Sequence, residues 1–263
     1  MFTKIAGNSP TGGRMGLYTL LTDTPNTAIP ADPTVGQMAL ILLGVFLSII
    51  IGYFLGSINT AIIYSTLRYK KDIRDFGSGN AGMTNMLRTF GKGAAAITLA
   101  GDMLKSIAAV LIVQFLAYGL RLLSPQIGQE FSVLCAYTAA LFAAVGHCFP
   151  IYYKFRGGKG VATCAAAIAV LSPFAFLCCL AVFLVLVFGT KYVSLASIIS
   201  AMTYPLFLNR IYGPGISNIF AMLMAALIVW QHRENLKRLW RGEERKISIG
   251  KPKNGEDDGK GRK

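Results

Sequence analysis

The sequence predicts an all-α membrane protein of seven transmembrane helices, with its N-terminus outside and its C-terminus in the cytoplasm. Three observations lead there. Of 263 residues, 54% are hydrophobic and only 14% charged, which is too apolar for a soluble domain and too long for a single anchor. Six segments approach the roughly 20 apolar residues that a spanning helix needs: Met38–Gly56, Ala94–Leu120, Phe131–Phe149, Pro173–Gly189, Tyr192–Leu208 and Ile216–Trp230. A seventh, Val161–Leu171, is shorter and is separated from the next by Ser172–Pro173. That pair permits either a kink in one long helix or a reversal between two.

Basic residues decide between these, because they gather in short cytoplasmic loops. With a reversal, the inner side holds 21 Lys and Arg and the outer side only Lys4, Arg14, Arg121 and Arg210. A kinked helix would instead put the basic C-terminal segment outside. The net charge of +14 is therefore a topology signal. Nucleic acid is not expected as a partner, since these cations flank spans and form no separate domain.

Taken in order, residues 1–36 are rich in Thr, Pro and Ala without a continuous apolar run. They are expected to form a flexible outer tail and not a signal peptide. Residues 37–246 form one membrane domain, and 247–263, which mix charges with Gly, are expected to be disordered in the cytoplasm. Ala94–Ala96, Ala139–Ala144 and Ala165–Ala167 suit close helix contact in lipid. The five cysteines lie in or beside apolar segments at no metal-ligand spacing; they are expected to pack, with no metal and no cofactor.

Three polar clusters fall on the inner side. GSGNAGMTNMLR, from Gly77 to Arg88, offers Ser78, Asn80, Thr84, Asn85 and Arg88. Its glycines Gly77, Gly79 and Gly82 allow successive backbone N–H groups to point at one anion. Gly157, Gly158, Lys159 and Gly160 lead into the Val161 segment, where a helix N-terminus and a lysine would both favour a phosphate. HRENLKRLWRGEE places His232 and Asn235 three apart on a helix continuing from the last span, with Arg238 and Glu244 beyond. A polar turn, a snorkelling lysine and an amphipathic exit helix are the competing readings of the three. Asp102 and Lys105 are expected as an intramembrane ion pair, and His147 as a buried hydrogen-bonding group.

On these residues the chain resembles the bacterial integral-membrane acyl-phosphate:glycerol-3-phosphate acyltransferases over nearly all of Met38 to Glu244. The matching stretches are GSI (56–58), DIRDFGSGNAGMTNMLR (72–88), DMLKS (102–106), GHCFPIYYKFRGGKGVAT (146–163), KYVSLASI (191–198) and HRENLKRLWRGEE (232–244). Asn59 stands where the family usually has proline, and Met83 where it usually has alanine. The resemblance implies acyl transfer from acyl phosphate to glycerol 3-phosphate, giving lysophosphatidic acid and inorganic phosphate, at an active site on the cytoplasmic face, by a monomer among the lipids of the bacterial inner membrane. It assigns catalysis to Ser78, Arg88, Lys159, His232, Asn235 and Glu244, and phosphate contact to Gly77, Gly79, Asn80, Thr84, Asn85, Gly158 and Gly160. The His-to-Asp spacing of soluble acyltransferases is absent: Tyr152 and Lys237 stand five residues beyond the two histidines. Direct attack by the glycerol hydroxyl is expected, with its proton passing to His232 or to the donor's phosphate. An anion transporter is the competing class.

Overall fold

The computed structural model describes residues 28–247. The expected outer tail as far as residue 27, and the expected cytoplasmic tail from residue 248, lie outside the described residues. Among the described residues all regular structure is helical. Helix α1 (Val35–Ser57) is opened by a capping box: Thr34 Oγ1 accepts the Gln37 N–H and Gln37 Oε1 accepts the Thr34 N–H. After a break at Ile58 and Asn59 come α2 (Thr60–Tyr69), a 3₁₀ turn at Ile73–Asp75 and α3 (Met83–Phe90). Then follow α4 (Lys92–Leu123), α5 (Gln129–Cys148), α6 (Val161–Leu171), α7 (Pro173–Thr190), α8 (Val193–Tyr212), α9 (Ile216–Gln231) and α10 (Arg233–Trp240).

The first span is closely apposed to the third. Gly44, Ser48, Gly52 and Gly56 recur every four residues on α1 and are all buried. A Cβ added at Gly52 would lie 2.5 Å from the Ala139 carbonyl oxygen, and one at Gly56 would overlap that of Ala143. Gly146 returns the contact against Tyr53. Small residues here let two backbones touch, which is how helices associate where lipid removes the hydrophobic drive.

Helix directions follow from hydrogen bonds at one end of the bundle. Lys105 Nζ donates to Ile58 O, just past α1, and Tyr53 Oη donates to Phe149 O, just past α5. Gly157 and Gly158 donate back to the last carbonyls of α5 immediately before α6 begins. Ser194 at the start of α8 donates to Glu244, which Asn235 and Arg238 of α10 also hold. Helices α6 and α8 thus start at the same end, so α7 must run back to it. Ser172–Pro173 is a reversal, with Ser172 Oγ bonded to Ile168 O.

Val35–Tyr69, Lys92–Leu123, Gln129–Tyr153 and Pro173–Thr190 are long and apolar enough to cross a membrane. Large apolar side chains such as Phe115, Val185 and Phe188 project outward, as suits helices bathed in hydrocarbon. The other three expected spans differ for a reason: α6 and α9 are shorter, and α8 carries Ser194, Ser197 and Ser200. These three helices line a cavity.

Candidate active site

The first loop is shaped by Asn85, on α3 and almost wholly buried. Its Oδ1 accepts the Ser78 N–H at 3.0 Å, and its Nδ2 donates to Phe76 O at 2.9 Å and Ile73 O at 3.2 Å. Gly77 has φ +62°, and a Cβ there would overlap Asn85 Oδ1, so the turn requires glycine. The N–H groups of Gly79 and Gly82 are also spent within the loop, on Phe76 O and Asn80 O. The expectation that these amides jointly wrap an anion is thereby corrected: Ser78, Gly79 and Gly82 use theirs to hold the loop, and Asn85 organises it. Toward the cavity the loop presents Gly77, Ser78, Asn80, Gly82, Met83, Thr84 and Arg88, with Asn85 beside them. Asn59 anchors the same loop by donating to Ala81 O while capping α2.

The second loop behaves similarly. Gly157 and Gly158 donate to Cys148 O and His147 O. A Cβ at Gly158 would overlap the His147 ring, so this residue serves packing, and neither Gly158 nor Gly79 lines the cavity. Lys159 donates to Asn235 Oδ1. Gly160, at φ +78°, caps α6 without a side-chain acceptor. Below this loop Asp102 and Lys105 form the expected ion pair at 2.9 Å, and His147 Nδ1 accepts from Lys105 at 2.9 Å. Both Asp102 and His147 also reach the cavity wall.

The third cluster departs from the expected continuous helix. The chain breaks at His232 (φ −98°, ψ 9°) and α10 starts afresh, yet His232 and Asn235 still share the cavity. Gly242, at φ +71°, then forms a Schellman turn in which its N–H reaches Leu239 O and that of Glu243 reaches Arg238 O. This turn brings Glu244 back over the site. Its carboxylate accepts from Arg238 Nε at 2.8 Å, Asn235 Nδ2 at 2.7 Å and Ser194 Oγ at 2.9 Å. Burial opposes its charge, but these bonds outweigh burial and hold the carboxyl below its usual range.

Ser78, Asn80, Thr84, Arg88, Lys159, His232, Asn235, Arg238 and Glu244 line one cavity of about 610 Å³. Its mouth holds Arg88, Lys159, Arg238 and Arg245 against the single carboxylate of Glu244, an excess of positive charge that suits an anion. Burial, above all, pulls Lys159 down to about 8, with Arg238 and Arg88 adding to the effect and Glu244 opposing it. The lysine is a cation at neutral pH and a titrating one slightly above it. His232 is lowered to about 4, by burial first and Lys159 second. Its Nδ1 lies 2.7 Å from Ile228 O, and a carbonyl can only accept, so Nδ1 carries the hydrogen and Nε2 is left as an acceptor. Away from the mouth the cavity is apolar, running down α8 past Ser197 and Ala201 to Tyr204.

The sequence reading missed Arg245, Ser194 and this inner wall. Arg245 looked like one more topogenic cation. The recurrence of small or hydroxyl residues at 194, 197, 200 and 201 in an apolar helix was a legible signal. Cys164, Ala165 and Cys179, expected only to pack, border the cavity as well.

This fold and site define an integral-membrane helical protein whose cavity joins a cluster of cations to an apolar chamber. The sequence profile of the family described as glycerol-3-phosphate acyltransferase matches residues 46–242, and the chain belongs to that family of enzymes of lipid biosynthesis. It is 43% identical over 198 residues to the glycerol-3-phosphate acyltransferase of Clostridioides difficile (strain 630), covering 75% of this chain and 93% of that one. It is 41% identical over 202 residues to that of Thermoanaerobacter pseudethanolicus (strain ATCC 33223 / 39E), covering 76% and 94%. Among solved structures it resembles PlsY (YgiH), an integral membrane glycerol 3-phosphate acyltransferase. In its glycerol 3-phosphate form PlsY superposes with TM-score 0.65 at 33% identity, over 78% of this chain and 96% of that one. In its lysophosphatidic acid form the TM-score is 0.63 at 32% identity, with the same coverage.

Proposed function

We propose that the protein transfers a fatty acyl group from acyl phosphate to the 1-hydroxyl of glycerol 3-phosphate, forming lysophosphatidic acid and inorganic phosphate. The observation that carries this reading is a four-cation mouth opening directly into an apolar chamber, since both substrates are anions and one drags a hydrocarbon chain. An acyl phosphate already contains its leaving group, so catalysis reduces to positioning two anions and stabilising charge as the carbonyl is attacked. Ser78, Arg88 and Lys159 bind phosphate, with Asn80, Thr84 and Gly160 beside them. Asn235 orients Lys159, and Glu244 fixes Asn235 and Arg238.

In the reaction the glycerol oxygen bonds to the acyl carbon, the bond from that carbon to the phosphate oxygen breaks, and inorganic phosphate leaves. His232 Nε2 accepts a hydrogen bond from the attacking hydroxyl and orients it. An imidazole lowered to about 4 is too weak a base to keep the proton, which departs on the phosphate. Further parts of the reading are seven spans, a cytoplasmic mouth and residence in the inner membrane of a bacterium; the alternating helix directions and the basic loops support them. Action as a monomer belongs to the same reading.

Purified protein in detergent, given acyl phosphate and labelled glycerol 3-phosphate, is expected to release lysophosphatidic acid and phosphate in equal amounts. Passage of glycerol 3-phosphate across proteoliposomes without either product would support a transporter and overturn this reading.

A further inference from the structure

The chamber has a floor, and the floor is held in place. Tyr204 is 3% exposed, and its hydroxyl lies 3.0 Å from Ser172 Oγ, at the reversal between α6 and α7. Tyr137 of α5 is buried in the same apolar cluster. Leu171, Ala175 and Leu208 belong to that cluster as well, all buried and none lining the cavity. The walls above mix small side chains, such as Cys164 on α6, Cys179 on α7, Ala201 on α8 and Ala225 on α9, with the larger Phe176 and Phe183 of α7. A chamber that stays open between these side chains and meets a tethered ring at the deepest position α8 contributes can take a linear chain up to a fixed length.

Resting on the acyltransferase reading above, we propose that Tyr204, anchored by Ser172, determines the longest acyl chain the enzyme accepts. Ser194 marks the mouth through its bond to Glu244, and Tyr204 stands ten residues further along the same helix. At 1.5 Å rise per residue the two are about 15 Å apart, room for about a dozen methylenes of an extended chain at ordinary bond lengths. Acyl chains within that length lie straight between mouth and ring, and longer ones must bend or leave their phosphate short of the cations.

The test uses the full chain in detergent with two series, acyl phosphates and lysophosphatidic acids of increasing chain length. Turnover is read for the first and the shift in thermal unfolding for the second. Ala201→Phe puts a ring one turn nearer the mouth and is expected to move both optima shorter by about three or four carbons, the equivalent of three helical residues. Tyr204→Ala removes the floor and moves them longer. Tyr204→Phe keeps the ring without its tether and broadens the profiles towards long chains. Unchanged optima in a folded Ala201→Phe protein overturn the proposal, even if Tyr204→Ala fails to fold. If acyl phosphate supports no turnover while the lysophosphatidic acid profile still moves, the length limit stands and the donor assignment falls.

Discussion

Two halves of this molecule use small side chains to opposite ends. Between α1 and α5, Gly44, Gly52 and Gly56 face Phe131, Ala139 and Ala143, and the backbones meet with no space left. Among α6 to α9, Cys164, Ala165, Ala201 and Ala225 are equally small, yet a cavity of about 610 Å³ remains. The difference lies in what stands beside them. At Gly52 and Gly56 the first interface is small against small, so the helices close until backbone touches backbone. In the second, Phe176, Phe183, Tyr204 and Met224 interleave with the small residues and hold the helices apart. Small residues permit contact, and their large neighbours decide whether contact occurs.

That contrast can be broken most directly by inserting the same side chain in each half. Gly56→Leu is expected to cost about 3 kcal/mol or more, because a rigid carbonyl occupies the space; loss of folded protein on size-exclusion chromatography would register it. Ala165→Leu, pointing into the chamber, should leave stability within about 1 kcal/mol and instead reduce acyl transfer. Equal destabilisation of the two variants would refute the distinction.

At the mouth, Lys159→Ala should lower kcat/KM by about 10²-fold or more, the cost of removing a charge that meets an anion in a partly desolvated site, with the melting temperature retained. A variant within a factor of two of the parent would remove Lys159 from the site. His232→Gln should lose about tenfold, because glutamine keeps an acceptor for the hydroxyl; a loss of 10³-fold or more would restore the imidazole as the proton acceptor.

The smallest effect concerns pH. Since kcat/KM reports the free enzyme and Lys159 titrates at about 8, the protonated, anion-binding form is present below that value. The parameter should fall as pH rises through it. Lys159→Arg stays charged throughout and should flatten this limb, whatever its absolute rate. A limb that persists unchanged assigns it to another group.

Much of the molecule is legible in its residues taken one stretch at a time. Apolar length marks the spans, the side on which Lys and Arg fall predicts that Ser172–Pro173 turns the chain back, and the three polar clusters that build the mouth can be named from composition and spacing. These are local properties: a helix needs its own apolar run, and a charge needs water near its own position. Tertiary structure alone decided that Asn85 and the amides of Gly79, Gly82 and Gly158 would hold their loops, that the helix would break at His232, and that Glu244 would turn back over Lys159 and Asn235. It also decided that Tyr204 would lie at the inner end of a chamber to which α4 and α6 to α9 all contribute. Each of these depends on which groups from distant stretches come within hydrogen-bond or van der Waals reach, and that is settled only when the helices pack.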